Sequence, residues 1–294
     1  MRAAVAASVI AAWVAGMVVL ARRELYRGET ERLAQAALLL APGAEYYALS
    51  RDSTRLGYAS YSLDTSATGI HLNELVVADM PQAQGVRRLA ARSVVNLTRA
   101  MKLVNFNFEL TGSYTPYAVF GRVEHDSSLL LVVTAGTAAP DSTRVPLRGP
   151  LMLPTTVPLA LVLEQRPHVG KRFTYTVYDP LSGTIEEAIV TVKAESLFVV
   201  TDSASLDAVT LRWLPVHQDT VRAWRLEQAE GGMVNGWVDE KGRMVQASPM
   251  GQFTLRRSAY EIAFQNWSLD NKQHPPVILP APGAPPPKPG AAPR

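Results

Sequence analysis

The 294-residue chain contains no cysteine. The absence of thiols excludes disulfide bonds, thiolate nucleophiles, thiolate zinc sites and iron–sulfur ligation. Histidine is scarce as well, since the five histidines are scattered along the chain and none has the HxxxH or HExxH spacing of a local metal site. We therefore expect no metal site and no cofactor.

Clustered charge of one sign is also missing. The chain carries 29 basic and 26 acidic residues, which gives a formal net charge of +3 at pH 7. Nucleic-acid binding needs Lys and Arg concentrated on one face, so we expect no nucleic-acid partner.

Recognisable catalytic motifs are absent. The sequence has no Gly-rich phosphate loop, no dinucleotide fingerprint and no G-x-S-x-G elbow. The run His125-Asp126-Ser127 contains the residue types of a catalytic triad, but neighbouring residues on a hairpin point to different faces, so it predicts a polar turn. We expect no catalytic residue and no enzymatic activity. The alternative is a hydrolase whose carboxylate pair comes from distant strands.

A long apolar run opens the chain. Ala3–Ala21 contains no charged residue and no proline. At about 1.5 Å per residue a helix of this length spans roughly 28 Å, close to the hydrocarbon thickness of a bilayer. We predict that residues 1–23 form an uncleaved transmembrane signal anchor; a cleaved signal peptide and a buried core helix are the alternatives. The anchor residues are Val5, Val9, Ile10, Trp13, Val14, Val18, Val19 and Leu20.

Two features of the sequence predict opposite orientations for this anchor. Arg22, Arg23, Arg27 and Arg32 follow the apolar run, whereas only Arg2 precedes it. The positive-inside rule therefore favours a cytoplasmic domain. A β-rich domain without cysteine, ending in a proline-rich tail, is instead typical of the cell envelope. We expect a single-pass protein of the cytoplasmic membrane with its main domain outside the cytoplasm.

The next two segments are predicted from periodicity. Residues 24–44 have apolar residues at three- and four-residue spacing and predict a helical stalk, either free or lying on the domain. Residues 45–269 are rich in short β patterns, such as the strict alternation of Val104–Leu110. A meander of about a dozen strands must curl on itself. The predicted fold is mainly β, a strongly curved antiparallel sheet or open half-barrel with a few helices.

Local patterns place the later elements. Val209–Leu214 and Val221–Gln228 are predicted as separate strands, and Ser258–Asn266 as the last helix. Asp239–Gly242 predicts a hairpin turn with glycine where φ must be positive. Residues 270–294 include nine prolines among the last twenty residues and predict a disordered tail.

The segment Leu151–Leu163 interrupts the β pattern. Pro154 and Pro158 keep it out of a central strand, and Thr155–Thr156 predicts the start of a short helix that ends at Glu164. Because the concave face of a curved sheet must be covered by apolar groups, this segment is the candidate plug or lid. Its candidate ligand-contacting residues are Leu151, Leu153, Leu159, Leu161 and Leu163.

Two hairpins carry a family resemblance. Tyr46–Thr65, with the sequence YYALSRDSTRLGYASYSLDT, resembles the opening strands of bacterial envelope domains, and Trp237–Val245 resembles their closing W-x-D-x-x-G-R-x-V hairpin. With Val104–Leu110 and Val169–Pro180, the order of elements is similar to domains that often precede transglutaminase-like enzymes. Their fold is related to the half-barrels of periplasmic lipoprotein carriers. The resemblance implies a concavity that can take an acyl chain, and it transfers no catalytic residue.

The sequence is compatible with two functional interpretations. If Leu151–Leu163 is a movable lid, the protein is an anchored, non-catalytic envelope module that binds lipid or lipoprotein acyl chains. If the segment is a fixed plug, the protein is a protein-interaction scaffold of the envelope that works with a separate enzyme. The proline-rich tail is the candidate contact for an envelope protein partner.

The orientation of the anchor is directly testable. A reporter that is active only outside the cytoplasm, fused after Arg294, is expected to be active if the domain lies outside. If a cytoplasmic reporter at the same position is active and the external reporter is silent, the domain lies in the cytoplasm, as the distribution of arginines predicts.

Overall fold

A computed structural model describes residues 29–52, 54–112, 115–164, 166–229, 232, 234–248, 253–273, 276 and 278. The predicted membrane anchor lies outside these residues, and so does nearly all of the proline-rich tail. Within the described part of the chain, no helix combines the length and the apolar character needed to span a membrane.

Strands account for most of the described chain, as the sequence predicts. They are β1 (Gly43–Arg51), β2 (Thr54–Thr65), β3 (Gly69–Gln82), β4 (Gly85–Thr98), β5 (Leu103–Thr111), β6 (Tyr117–Glu124), β7 (Ser128–Ala135), β8 (Asp141–Pro146), β9 (Leu151–Met152), β10 (Arg172–Asp179), β11 (Thr184–Leu206), β12 (Trp213–Gln228), β13 (Asn235–Asp239), β14 (Met244–Ala247) and β15 (Thr254–Ser258).

Three short helices accompany the sheet. Helix α1 (Glu29–Ala36) continues into a 3-10 turn, Ala37–Leu39, and α2 (Val157–Glu164) follows β9. A π-helical turn, Glu261–Gln265, leads into α3 (Asn266–Gln273). Leu33 and Ala37 are buried, so this part of the predicted stalk lies against the domain.

All fifteen strands form one sheet, in the order β8-β7-β6-β5-β4-β3-β2-β1-β15-β14-β13-β12-β11-β10-β9. The chain starts in the middle, winds outward from β1 to β8, crosses to the other edge at β9 and winds back to β15. Strands β1 and β15 then pair antiparallel, with Tyr46 opposite Ser258. Among the pairings between the fifteen described strands, β9–β10 alone is parallel, and an isolated bridge between Val86 and Ile278 is parallel as well. One central pairing therefore joins two antiparallel meanders.

The sheet is strongly curved, as predicted. The rings of Phe106 in β5 and Tyr178 in β10 have centroids 5.4 Å apart, although the two strands are ten positions apart in the sheet. A flat sheet with a spacing of about 4.8 Å would separate them by roughly 48 Å. Strands β8 and β9 are the two ends of the order and do not pair with each other in the described chain, so the sheet is open.

Helix α2 occupies the interior of this curve. Val157, Leu159 and Leu161 are at most 1% exposed and belong to the main hydrophobic core with residues from both meanders. The helix begins after Thr156, whose hydroxyl donates a hydrogen bond to the Leu153 carbonyl oxygen at 2.9 Å. The predicted short helix over this segment is present, and it serves as the centre of the core.

The predicted hairpin turn at Asp239–Gly242 is also confirmed. Gly242 has a φ of +73°, and a Cβ at this position would lie 2.8 Å from the Cα atom of Leu159. Glycine is therefore required both by the backbone of the turn and by its close approach to α2.

Three sequence predictions need correction. The separate strands predicted at Val209–Leu214 and Val221–Gln228 are replaced by one continuous β12, which starts at Trp213. Pro215 is tolerated in β12 because this end of the strand has a partner only in β11, which leaves its other edge free. The last helix starts later and ends later than predicted, at Gln273. It therefore includes four residues that were assigned to the tail.

Three strands were not predicted at all. One is β9, whose two residues fall in the segment that was predicted to interrupt the β pattern. Strand β15 was missed because its sequence, TLRRS, contains two adjacent arginines, of which Arg257 is buried in ion pairs. Strand β8 is almost entirely exposed and has no apolar alternation, because it forms an edge of the sheet.

The packing of Phe106 generates a stability prediction. Gly121 lies opposite Phe106 in β6, and a Cβ at Gly121 would be 2.0 Å from Cε1 of that ring. Gly121→Ala is therefore expected to lower the free energy of unfolding by about 1–3 kcal/mol, the usual cost of overpacking a core. Gly149→Ala is the matched control, since a Cβ there would meet no atom within 4 Å. Urea denaturation of both variants measures the difference, and equal losses would contradict the packing argument.

Candidate functional site

An apolar cavity of about 270 Å³ lies between the concave face of the sheet and the turn that precedes α2. Its walls come from β1–β3, from β13–β15, and from Pro154, Thr155 and Pro158. The inner face of β3 is set by the alternation of side chains, which places Leu72, Glu74 and Val76 on the same side. One carboxylate therefore lies on an otherwise apolar stripe.

Glu74 has no compensating partner in the described structure. It forms no hydrogen bond and no ion pair with any described residue, and it is partly buried. Burial raises the pKa of the Glu74 carboxyl from 4.5 to about 7. A perturbed carboxyl group inside a concavity is a typical feature of a functional site.

Two tyrosines lie beside Glu74. Tyr61 is the direct cross-strand partner of Glu74, and Tyr47 is opposite Ala59 on the same inner face. Burial raises the pKa of both hydroxyls well above the ordinary value, so both tyrosines stay neutral at physiological pH. The Tyr47 hydroxyl donates a hydrogen bond to the Met244 carbonyl oxygen at 3.2 Å.

A buried ionic network forms the wall beside these tyrosines. Arg257 contacts Asp239 at 2.9 Å and Glu45 at 3.4 Å, and Arg243 pairs with the same two carboxylates. Arg257 also donates to the Met244 carbonyl oxygen through Nε at 2.9 Å. Two arginines are thus balanced by two acids. Glu74 is a third carboxylate, and neither arginine balances its charge.

The network explains the closing hairpin motif. Asp239 Oδ1 accepts hydrogen bonds from the backbone N–H groups of Lys241 and Arg243, at 2.9 and 3.0 Å, which fixes the turn. The Asp and the Arg of W-x-D-x-x-G-R are therefore structural residues that bind the β13–β14 turn to β1 and β15.

A second concavity, of about 410 Å³, lies next to the first. It is bounded by the turn after α1, by the end of α2 and by the β13–β14 turn, and it includes Leu40, Val162 and Leu163. Tyr61 and Arg243 line both concavities. These two side chains therefore separate the apolar cavity from the side of the domain where the chain enters.

The five leucines predicted to contact a ligand do not line the apolar cavity. Leu151, Leu153, Leu159 and Leu161 are between 0% and 3% exposed and belong to the core. Leu163 is partly buried and lines the second concavity. The segment meets the apolar cavity through its turn instead. There the Thr155 Oγ1 atom is buried without a hydrogen-bond partner among the described residues.

Glu74, Tyr47 and Tyr61 were not among the site residues predicted from the sequence. A signal was present, because Ile70, Leu72, Glu74 and Val76 alternate in one strand, so that the glutamate falls on the apolar face. A charged residue on a core-facing position is the observation that would have identified the site.

Two other polar groups have limited significance. His125 and Asp126 both have positive φ and form the β6–β7 turn, as predicted. Asp202, His217 and Asp219 lie with ligand-type atoms within 4.8 Å of one another on β11 and β12, and all three are exposed. Exposed carboxylates commonly gather in this way without binding an ion.

Comparison with known proteins leaves the family open. No family model matches the chain, and no curated protein matches it. Among solved structures, it is similar to a beta-barrel-like protein of domain of unknown function DUF1849 from Brucella abortus. The identity is 15%, the match covers 74% of this chain and 95% of that chain, and the TM-score is 0.45.

The environment of Glu74 predicts a pH dependence of stability. Because its folded-state pKa of about 7 lies above the ordinary 4.5, the folded protein holds this proton more tightly than the unfolded chain does. The contribution of Glu74 to stability is therefore lost as the pH rises from about 4.5 to about 7. Glu74→Gln is expected to match the wild type near pH 4 and to be more stable by roughly 3 kcal/mol near pH 8.

Urea denaturation of the full chain in lipid nanodiscs, followed by tryptophan fluorescence, measures this difference. Glu187→Gln, at an exposed glutamate of β11, is the control and should show no such dependence. A Glu74→Gln effect of equal size at both pH values would show that Glu74 is not a buried titrating group.

Proposed function

We propose that the protein is a membrane-anchored, non-catalytic module of the cell envelope that binds the alkyl or acyl chain of a lipid or lipoprotein. The observation that supports this proposal is the apolar cavity inside the curved sheet, next to a second concavity. Each methylene group transferred from water into such a cavity contributes about 0.8 kcal/mol, so a chain of moderate length gains substantial affinity.

In this proposal α2 is a fixed wall, and it is not a movable lid. Moving it out would expose Val157, Leu159 and Leu161, at roughly 1.5–3 kcal/mol each. The sum is comparable to the whole free energy of unfolding of a typical domain, about 5–15 kcal/mol. Ligand entry is assigned instead to the second concavity, where the side chains of Tyr61 and Arg243 stand between the two spaces.

The proposed position of the membrane agrees with this route. The second concavity is bounded by the residues that follow α1, and α1 follows the predicted anchor after a few residues. A lipid leaving the outer face of the cytoplasmic membrane would meet this side of the domain first. Permanent anchoring favours local lipid handling over transport between membranes.

The non-catalytic assignment rests on the carboxylates. Hydrolysis by an acid–base pair needs two carboxyl groups held several ångströms apart in one site. Among the described residues that line the apolar cavity, Glu74 is the sole carboxylate. Glu45 and Asp239 nearby are held in ion pairs with the two arginines.

A protein-interaction scaffold is the second candidate. It is favoured by the hairpin of β11 and β12, which exposes large apolar side chains: Leu197 is 67% exposed and Val216 is 64% exposed, while Val209 in the connecting turn is 91% exposed. Exposed apolar groups of this kind mark interaction surfaces. The proline-rich tail would offer a second contact for an envelope protein.

Lipid uptake distinguishes the two candidates. Native mass spectrometry of the delipidated full chain, incubated with monopalmitoylglycerol, is expected to show one bound lipid. Ala59→Phe places a ring in the cavity and should abolish this uptake, whereas Ala135→Phe, at an exposed alanine of β7, should not. Thermal denaturation verifies that both variants are folded. If the wild-type protein takes up no lipid, the lipid-binding proposal is wrong and the protein-interaction scaffold is favoured.

A further inference from the structure

The charge balance around the apolar cavity points to the polar end of its ligand. Arg243 lines the cavity and Arg257 lies in the ionic network beside it, and each guanidinium group is paired with the carboxylates of Glu45 and Asp239. Glu74 is a third carboxylate, with no cation paired to it among the described residues. Ionised Glu74 therefore gives the cavity one uncompensated negative charge, in surroundings where a charge is poorly solvated.

The neighbours of Glu74 are suited to a cation. Tyr61 lies directly across the strand pair from Glu74, and Tyr47 lines the same cavity. The faces of tyrosine rings attract ammonium groups, most strongly where water is excluded. Both hydroxyls stay neutral, so they add no competing charge.

A second acceptor belongs to a residue that lines the same cavity. The Thr155 hydroxyl oxygen is buried and has no hydrogen-bond partner among the described residues, and Thr155 lines the cavity. An unsatisfied buried oxygen is costly unless a ligand supplies a donor. A primary ammonium group carries three N–H donors and no acceptor, which matches a carboxylate plus a hydroxyl oxygen.

We propose that the cavity recognises an alkylammonium group: an apolar chain that ends in a primary amine, with the nitrogen between Glu74 and the Thr155 hydroxyl and against the rings of Tyr47 and Tyr61. This inference rests on the proposed binding of an alkyl chain and adds the chemical class of its head group. A bare metal ion fits less well, because hard cations need six or more oxygen ligands. A carboxylate head group would meet the like charge of Glu74.

Three six-carbon probes test the head group while the chain stays constant. Hexylamine is cationic at pH 8, since alkyl amines have pKa values near 10.4; hexanol is neutral and hexanoate is anionic. Isothermal titration of each probe into the full chain in lipid nanodiscs, corrected with empty nanodiscs, gives the affinities. We expect hexylamine to bind at least tenfold more tightly than hexanol at pH 8, and hexanoate to bind most weakly.

Variants and pH assign the effect to Glu74. Glu74→Gln should reduce the affinity for hexylamine to that for hexanol, whereas Glu187→Gln should leave both unchanged. Lowering the pH from 8 to 6 should weaken hexylamine binding about tenfold, because the ionised fraction of a group with a pKa near 7 falls tenfold over this range. The other titratable groups that line the cavity with Glu74 are Tyr47 and Tyr61, which stay neutral, and Arg243, which is ion-paired with Glu45 and Asp239.

The outcomes separate this inference from the proposed function. Equal binding of hexylamine and hexanol, or unchanged hexylamine binding in a folded Glu74→Gln variant, would overturn the ammonium assignment and leave alkyl-chain binding in place. If none of the probes bound, and monopalmitoylglycerol was not taken up either, both proposals would fail together.

Discussion

Burial of α2 against the concave face is the contact on which the remaining architecture depends. One continuous sheet of fifteen strands can bury an apolar face only by curling around something. Val157, Leu159 and Leu161 supply that centre, and side chains from both meanders pack on it. The β13–β14 turn approaches the same helix closely enough to require Gly242. The curvature, the cavity and the position of the turn thus share one cause.

The sequence predicts the parts of this fold that have local signatures. The alternation in β5 and the glycine of the β13–β14 turn indicated their structures correctly, because side-chain period and positive φ are properties of neighbouring residues. Strand β15 was not predicted because Arg257 can be buried only when it forms ion pairs with acidic residues that are distant in the sequence. Glu74 was not predicted as a site residue for a related reason. It is unusual only because it lies on the inner face of the sheet. That face is defined only when two meanders and a helix meet.

Two kinds of buried charge coexist within a few strands. Asp239 is paired with two arginines and accepts hydrogen bonds from backbone N–H groups. Its charge therefore stabilises the β13–β14 turn and the contact of that turn with β1 and β15. Glu74 has no such partners, and its burial costs stability whenever it is ionised. Proteins retain an uncompensated carboxylate of this kind where it has a task beyond folding. The contrast between the two acids, together with the cavity, is the basis on which we propose that the interior binds a ligand.

The central pairing of β1 with β15 has a consequence for biosynthesis. Tyr46 meets Ser258, so 212 residues must be made before the first strand acquires its second neighbour. During that interval β1 is an unpaired edge, and the concave face of the first meander lacks both α2 and its opposing wall. Exposed edges and apolar faces attract other chains. The first meander of a nascent polypeptide therefore keeps an open edge and an uncovered apolar face until its last strand is made.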